Sequence, residues 1–350
     1  MIAIKVPARI CFFGDHQDYL GLPVIAGTVN RYICLRAVPI ERKEFSVVLK
    51  DLQQEFVIPL SGKSEKIRGK DYFRSGISIL KDEGFQFSQG YHIEIWGDIP
   101  INAGLSSSSA LVVAWIRFLV AVQPRKKPIS DLQIARWAHQ AEVLFFNQPG
   151  GLMDQYTIAQ GGMLYIDTNT GESTRLKNGL GRLLVAESGL PKKTLSVLKN
   201  AREYAQNAIS SIRSVHPEFD LNSVSPEDYN RYLEIVPDQY QEHWYASVHN
   251  YQITKAAKEE LLYWNPDLKK LAGLMNEHQL ILQSRIQNTP TEMTQMMEAA
   301  KQAGALACKI IGSGGGGCML ALVGNNNIEK IKKAFLETRA KAVYEVEIGN

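Results

Sequence analysis

A run of small and hydroxylated residues precedes an apolar stretch in the first half of the chain. It reads Gly104-Leu105-Ser106-Ser107-Ser108-Ser109, follows a predicted strand and opens a helix that contains Leu111-Val112-Val113-Ala114-Trp115-Ile116. A helix N-terminus offers unpaired backbone N–H groups and a partial positive charge, and small residues let a polyphosphate approach closely. A flexible serine-rich linker is the alternative, but a linker would not continue directly into an apolar helix. The segment therefore predicts a site for the phosphates of ATP.

A second run of residues without side-chain bulk lies near the C-terminus, between two apolar strands. It reads Gly312-Ser313-Gly314-Gly315-Gly316-Gly317-Cys318. Each glycine costs extra backbone entropy on ordering, so the run makes a poor ordinary hairpin, although a floppy turn is the alternative. We expect something to pass very close to this loop, and the nucleotide is the candidate.

Two commoner nucleotide-binding signatures are absent from the sequence. It contains neither a Gly-x-x-x-x-Gly-Lys-Ser/Thr loop nor a dinucleotide-binding glycine fingerprint with its downstream acid. A P-loop ATPase or a dehydrogenase is therefore not expected.

Three polar side chains stand close together near the N-terminus. Asp15, His16 and Asp18 lie in a loop that Gly14 and Gly21 flank. Grouped donors and acceptors suit a polyhydroxylated ligand. A metal site is the rival interpretation, but two acids and one histidine make a weak ligand set. Taken alone, His16 would be interpreted as a structural hydrogen-bonding residue.

Two further acids stand out by their surroundings. Glu142 lies on a strongly apolar helix, where a buried carboxylate needs a partner; the alternative is a glutamate on the outer face. Asp154 follows Gly150, Gly151 and Met153 in a loop of small residues, where a substrate could reach it. From the residues alone, a capping or turn aspartate is the preferred interpretation of Asp154.

The elements that must position these residues change in character along the chain. Alternating or β-branched runs predict strands in the first half, at residues 2–6, 46–49, 92–96 and 163–166. Helices are predicted over about 106–122 and 129–146, the second capped by Ser130 and Asp131. From about 192 to 303 the pattern becomes long, charged and helical, and a strand-loop-strand-helix-strand segment ends the chain. We place the boundary between two lobes at residue 190.

Composition sets the class of protein. The chain has 350 residues, 45% of them hydrophobic, and a net charge of +3 from 39 basic and 36 acidic side chains, so no nucleic-acid or membrane partner is expected. The four cysteines are scattered through apolar runs and predict reduced core residues. With no leader-like N-terminus and no long uncharged apolar run, we expect a cytoplasmic protein.

The motifs together resemble those of a known superfamily. The segment from Pro7 to Gly21, the serine-rich motif and the glycine loop are similar, in order and spacing, to the three motifs of the GHMP kinases (galactokinase, homoserine kinase, mevalonate kinase and phosphomevalonate kinase). Galactokinase-like members look nearest. Their Gly-Glu-His-Thr-Asp-Tyr stands here as Gly14-Asp15-His16-Gln17-Asp18-Tyr19, and their Met-Asp-Gln as Met153-Asp154-Gln155.

The resemblance implies an α+β fold of two lobes. Residues 1–190 would form an N-terminal lobe like domain 2 of ribosomal protein S5, and residues 191–350 a ferredoxin-like C-terminal lobe. The active site would lie in the cleft between them. ATP and Mg²⁺ are the implied cofactors, and the partners would be small molecules, with a monomer and a homodimer both left open.

The resemblance also implies a role for each candidate residue. Asp154 matches the catalytic base, and Arg9 the basic residue beside it, while Glu142 with Ser108, or with Ser107, matches the Mg²⁺ ligands of mevalonate kinases. Matched sugar ligands are Asp15, His16, Asp18 and Gly151. Matched ATP-binding residues are Gly104, Leu105, Ser106, Ser107, Ser108, Ser109, Gly312, Ser313, Gly314, Gly315 and Gly316.

The implied reaction is transfer of the γ-phosphate of ATP to a hydroxyl of galactose or a related monosaccharide or uronic acid, with the anomeric C1 hydroxyl expected. Asp15 in place of Glu, Asn102 in place of Gly, and a chain shorter than a typical galactokinase leave the sugar open. A mevalonate-type kinase, a heptose-phosphate kinase and a non-catalytic sugar sensor are the alternatives. Retention of Asp154, Arg9 and the glycine loop favours an enzyme.

Overall fold

A computed structural model of the protein describes residues 1–61, 67–101, 103–123, 128–177, 179–191, 194–324 and 328–349, with the backbone alone at 194–199. Its strands fall into two sheets. The strands are β1 (Ile2–Phe13), β2 (Val24–Ile40), β3 (Glu44–Leu49), β4 (Gln54–Pro59), β5 (Gly90–Gly97), β6 (Met163–Ile166), β7 (Ser173–Leu176), β8 (Arg182–Glu187), β9 (Ala307–Ile310), β10 (Cys318–Val323) and β11 (Ala342–Val346).

The helices lie on and between the sheets. They are α1 (Tyr72–Asp82), α2 (Ser107–Ala121), α3 (Asp131–His139), α4 (Met153–Gln160), α5 (Thr194–Val215), α6 (Pro226–Leu233), α7 (Asp238–Leu262), α8 (Leu268–Ile281), α9 (Thr291–Gln302) and α10 (Ile328–Glu337). Two π-helical turns, Gln140–Leu144 after α3 and Leu282–Ile286 after α8, lengthen their helices.

The first sheet carries the N-terminal lobe. Its order is β4-β3-β5-β2-β6-β7, with β1 paired antiparallel to β2. The β1–β2 register shifts between Pro7 and Ala8 and again between Cys11 and Phe13. Such irregularities re-aim side chains, and here they flank Arg9 and lead into the loop of Asp15 and His16.

Helix α2 packs against β1 and β2 through a broad apolar face. Trp115, Ile116 and Phe118 are fully buried there, and Trp115 Nε1 donates to the carbonyl of Phe73 at 2.9 Å. Burying side chains of this size stabilises the fold by about 1.5 to 3 kcal/mol each. This packing fixes the helix axis, and hence the direction in which its N-terminus points.

The second sheet has the antiparallel order β11-β8-β10-β9. Every residue of β9 and β10 is buried, which explains their uniformly apolar character apart from Lys309. Helices α8 and α9 pack on β9, and α10 packs on α9 and β11. Helices α5, α6 and α7 form a separate apolar cluster around Trp244.

The fold class predicted from the sequence, α+β with two lobes, is confirmed. The predicted helix at 106–122 is α2, and the one at 129–146 is α3 plus the π-helical turn that follows it, with Ser130 capping the main-chain N–H of Gln133. Division of the chain at residue 190 stays a prediction. Strands up to β7 belong to the first sheet and strands from β8 onward to the second. Asn102 lies outside the described residues. No helix in the described ranges is long and apolar enough to cross a bilayer.

Candidate active site

A cleft of about 240 Å³ opens where the loops of both lobes meet. Side chains from β1, the following loop, the start of α2, the π-helical turn after α3 and the glycine run all line it. Most of the predicted site residues are among its walls: Arg9, Asp15, His16, Asp18, Gly104, Ser106, Ser107, Ser108, Ser109, Glu142, Gly151, Asp154, Gly312 and Ser313. Leu105, Gly314, Gly315 and Gly316 are not in that lining, so the structure does not bring them to the cleft surface.

Asp154, in the first turn of α4, sits in a compact cluster of charges. Arg9 Nε donates to its Oδ1 at 2.6 Å, and Ser106 Oγ donates to its Oδ2 at 2.5 Å. Arg9 also donates from Nη1 to the carbonyl of Gly104 at 2.7 Å. Burial opposes the charge of Arg9, but the charge of Asp154 and the hydrogen bond to it raise the arginine pKa overall. The Asp154 side chain keeps 27% exposure, so a ligand in the cleft can reach it.

The serine-rich motif forms a left-handed turn into α2. Ser106 is the N-cap residue with φ +58°, and its hydroxyl turns to Asp154 rather than capping the helix. Helix α2 therefore starts at Ser107 with first-turn N–H groups that have no intrahelical partner. Because Ser107, Ser108 and Ser109 also line the cleft, the positive end of α2 faces it.

The glycine run is crowded by the protein's own backbone. A Cβ on Gly314 would collide with the main chain of Asn288, and one on Gly317 would lie 2.7 Å from the carbonyl oxygen of Ala103. Both glycines also have positive φ. The sequence predicted that something passes very close to this loop, and in the structure the backbone of the protein itself does so. Cys318 N donates to the Ala103 carbonyl at 2.8 Å, which ties this loop to the serine-rich motif.

Asp15 is held by a lysine from the other lobe. Lys309 Nζ on β9 lies 2.6 Å from Asp15 Oδ2, and it also donates to the carbonyls of Cys11 and Ile310. Burial would raise the pKa of Asp15, but the charge and hydrogen bond of Lys309 together with the charges of His278 and His16 outweigh it, and the pKa is lowered. The other oxygen, Oδ1, has no hydrogen-bond partner among the described residues, and the neighbouring Cys11 thiol donates to Phe13 instead. Asp15 lines the cleft, and its Oδ1 is buried.

His16 bridges the acidic loop and the glycine loop. It has φ +64°, its Nδ1 lies 3.0 Å from Tyr19 Oη, and its Nε2 lies 3.1 Å from the carbonyl oxygen of Ser313. Asn288 Nδ2 lies 3.1 Å from the same Nε2 and donates to the same carbonyl. The two loops are therefore fixed relative to each other.

Asp18 lies against Gly151, where a Cβ would overlap its carboxylate. Burial, reinforced by the nearby charge of Asp154, raises the pKa of Asp18 to about 6. Tyr19 N donates to its Oδ1 at 3.0 Å. Asp18 and Asp154 therefore face the same small space.

Glu142 is buried, so the alternative of an outward-facing glutamate is wrong. It lies in the π-helical turn Gln140–Leu144, a local distortion often found at functional sites. Gln155 Nε2 donates to its Oε2 at 2.6 Å. Burial raises the pKa of Glu142, while hydrogen bonds from Gln155, Ser109 and Ser108 oppose that rise.

Sequence reasoning missed three residues of this arrangement. Lys309 was detectable as a lone charge in an otherwise apolar strand, and Gln155 as the amide that ends Met153-Asp154-Gln155. Asn288 gave no signal, because it follows a π-helical turn that the helical period does not indicate.

Comparisons with known proteins agree with this architecture. The models of the GHMP kinases N terminal domain and the GHMP kinases C terminal domain match residues 71–162 and 255–341. A galactokinase of Thermococcus kodakarensis is 26% identical over 96% of this chain and 93% of its own length. Lactococcus lactis galactokinase complexed with galactose superposes with a TM-score of 0.87 at 22% identity, covering 99% of this chain and 94% of that one. Methanococcus jannaschii mevalonate kinase gives a TM-score of 0.72 at 18% identity, with 100% and 98% coverage.

The two lobes, the helix N-terminus aimed into the cleft and the charge cluster beside it define an ATP-dependent phosphotransferase. The chain belongs to the GHMP kinases. The family predicted from the three motifs is therefore confirmed.

Proposed function

We propose that this chain is a sugar kinase that transfers the γ-phosphate of ATP to a hydroxyl of galactose or a closely related monosaccharide, with the anomeric C1 hydroxyl as acceptor. The observation that carries the proposal is the cluster of Arg9, Asp154 and Ser106, which faces Asp18 and Gly151 across one cleft. Similarity to galactokinases over nearly the whole chain supports the sugar branch of the family.

Asp154 is the proposed base. The acceptor oxygen forms a bond to the γ-phosphorus, the bond from that phosphorus to the β–γ bridging oxygen breaks, ADP leaves, and the hydroxyl proton passes to Asp154. A fixed cation beside a carboxylate favours its ionised form, and Arg9 at 2.6 Å supplies that cation. Ser106 holds the second carboxylate oxygen and so limits its rotation.

ATP is proposed to place its phosphates at the N-terminus of α2. First-turn N–H groups of Ser107, Ser108 and Ser109 would bind phosphate oxygens, and the helix dipole favours the negative charge. Gly312 and Ser313 approach from the opposite wall of the cleft. The remaining glycines act on this site by keeping the loop close to Ala103 and Asn288.

Magnesium is the proposed metal, with Glu142 and Ser108, or Ser107, as ligands. The donor set fits, because a buried carboxylate and hydroxyl oxygens line the phosphate end of the cleft, and Mg²⁺ takes one or two carboxylates together with phosphate oxygens and water. When bound, the ion would neutralise phosphate charge. Gln155 orients Glu142 through its amide.

The acidic loop favours a sugar over mevalonate. A polyhydroxylated acceptor needs hydrogen-bond acceptors, which the carboxylates of Asp18 and Asp15 in the cleft lining provide, whereas a carboxylated alcohol needs positive charge. The direct test is an ADP-release assay over galactose, other hexoses, uronic acids, sugar phosphates and mevalonate. Turnover of galactose or a related sugar supports the proposal; faster turnover of mevalonate, or no turnover with any sugar, contradicts it.

A further inference from the structure

A second cavity, of about 270 Å³, adjoins the acceptor end of the cleft. The two share Asp18, Val143, Gln148, Gly150 and Gly151 as walls, so a sugar bound at Asp18 would lie next to the second cavity. Nothing in the proposed phosphoryl transfer uses this second cavity. Among the polar side chains that line it and not the first cleft are Arg202 and His139.

Arg202 lies on α5 and is partly buried. Within the described ranges Arg202 makes no ion pair or hydrogen bond. Its charge does act on the nearby Tyr19 hydroxyl, where it opposes the rise in pKa that burial causes. The charges that act most on Asp18 are those of Asp154 and Arg9, and Arg202 is not among its main influences. A partly desolvated guanidinium on a cavity wall is an unused anion-binding group.

His139 ends α3 on the same cavity wall. Its Nε2 is buried and has no hydrogen-bond partner among the residues that the structure describes. Burial lowers the pKa of His139, so the imidazole is neutral near pH 7 and can donate from one ring nitrogen. A buried polar atom without a partner is rare and points to a missing ligand or water.

We propose that this cavity is a subsite for a negatively charged substituent of the acceptor sugar, a carboxylate or a phosphate, which Arg202 binds and His139 supports. The proposal rests on the proposed sugar kinase activity and narrows its substrate class to acidic monosaccharides. Arginine suits this role because its planar fork pairs with two oxygens of a carboxylate or phosphate. Asp18 remains the partner of ring hydroxyls on the other side of the shared wall.

The test compares galactose, galacturonate and galactose 6-phosphate as acceptors, by steady-state kinetics and by titration calorimetry without ATP. The variants are Arg202→Gln and Arg202→Lys, and the control is Arg213→Gln, which removes an exposed arginine from the same helix. The parent should prefer an acidic acceptor over galactose. Arg202→Gln should lower kcat/KM for that acceptor at least tenfold and leave galactose within about twofold, Arg202→Lys should lose less, and Arg213→Gln should change nothing.

The choice of acceptors distinguishes the two kinds of anion. A subsite for a carboxylate should favour galacturonate, and a subsite for a phosphate should favour galactose 6-phosphate. If galactose is turned over at least as well as both acids, or if Arg202→Gln lowers activity equally for all three, the subsite is refuted while the sugar kinase assignment stands. If no sugar is turned over, the assignment itself fails. Unchanged thermal melting of the Arg202 variants excludes a folding defect as the cause.

Discussion

Replacement of Lys309 by methionine should destabilise the protein through Asp15. The two side chains are 0% and 1% exposed and lie 2.6 Å apart, so no solvent can compensate the carboxylate once the ammonium is gone. Methionine keeps most of the length of lysine and preserves the packing of β9. The variant therefore isolates the loss of charge and of three hydrogen bonds.

The expected size follows from the burial of the pair. Removing one partner of a buried ion pair costs about 3 to 5 kcal/mol, whereas replacing both partners by neutral groups of similar volume is often close to neutral. Asp15→Asn with Lys309→Met leaves no unpaired charge, so the double variant should recover most of that loss. Because whole domains are stable by about 5 to 15 kcal/mol, the single variant should still fold but melt early.

Urea unfolding of the parent, both single variants and the double variant gives the coupling energy directly. A loss below about 1 kcal/mol for Lys309→Met, or a double variant no more stable than that single variant, would refute the buried-pair reasoning. Acceptor kinetics add a second readout: in the double variant the KM for the sugar should rise, because the cleft lining loses the carboxylate of Asp15, and the KM for ATP should not change. A matching rise in both constants would contradict the assignment of Asp15 to the acceptor.

Four further outcomes are expected. Asp154→Asn should abolish phosphoryl transfer while ATP affinity stays within about twofold by calorimetry, and activity within about tenfold of the parent would contradict its role as base. Glu142→Gln and Ser108→Ala should each raise the Mg²⁺ concentration needed for half-maximal activity, and unchanged Mg²⁺ titrations would reject them as ligands. The kcat/KM for the sugar should fall as pH is lowered through about 6, where Asp18 takes up a proton, and Asp18→Ala should lower it at least about tenfold at pH 7 without altering the KM for ATP. His278 is fully buried, and burial lowers its pKa to about 3. As the pH falls below about 6.5, the unfolded chain binds a proton at His278 before the folded chain does, so the free energy of unfolding should decrease between about pH 6.5 and 3. In the His278→Leu variant, urea unfolding should show a weaker dependence of stability on pH across that window.

Much of the proposed phosphate end of the site could be predicted from sequence. The start of α2 is marked by small residues directly before an apolar run, and both signals are local. From the sequence, a buried Glu142 and an exposed Glu142 were both possible. The π-helical turn after α3 breaks the helical period that would have shown which face of the helix carries this side chain. A local insertion of this kind leaves no clear mark in a pattern of hydrophobic residues.

The proposed acceptor end depends on contacts between residues far apart in the chain, and these contacts could not be predicted from the sequence. Lys309 meets Asp15 across 294 positions, and His16 meets Ser313 across 297. Neither pairing follows from periodicity or from a motif. The predicted grouping of Asp15, His16 and Asp18 gave the residues of this end but not the partners that orient them.

These long-range contacts explain why the site cannot belong to either lobe alone. The bond from Cys318 N to the Ala103 carbonyl joins the glycine loop to the serine-rich motif, and Lys309 joins β9 to the acidic loop. The main apolar core also runs through both sheets, since Ile10 of β1 and Leu320 of β10 belong to one cluster. A rigid-body opening of the lobes would therefore have to break a buried ion pair and a continuous core, so substrate entry should depend on local movement of the loops that line the cleft rather than on separation of the lobes.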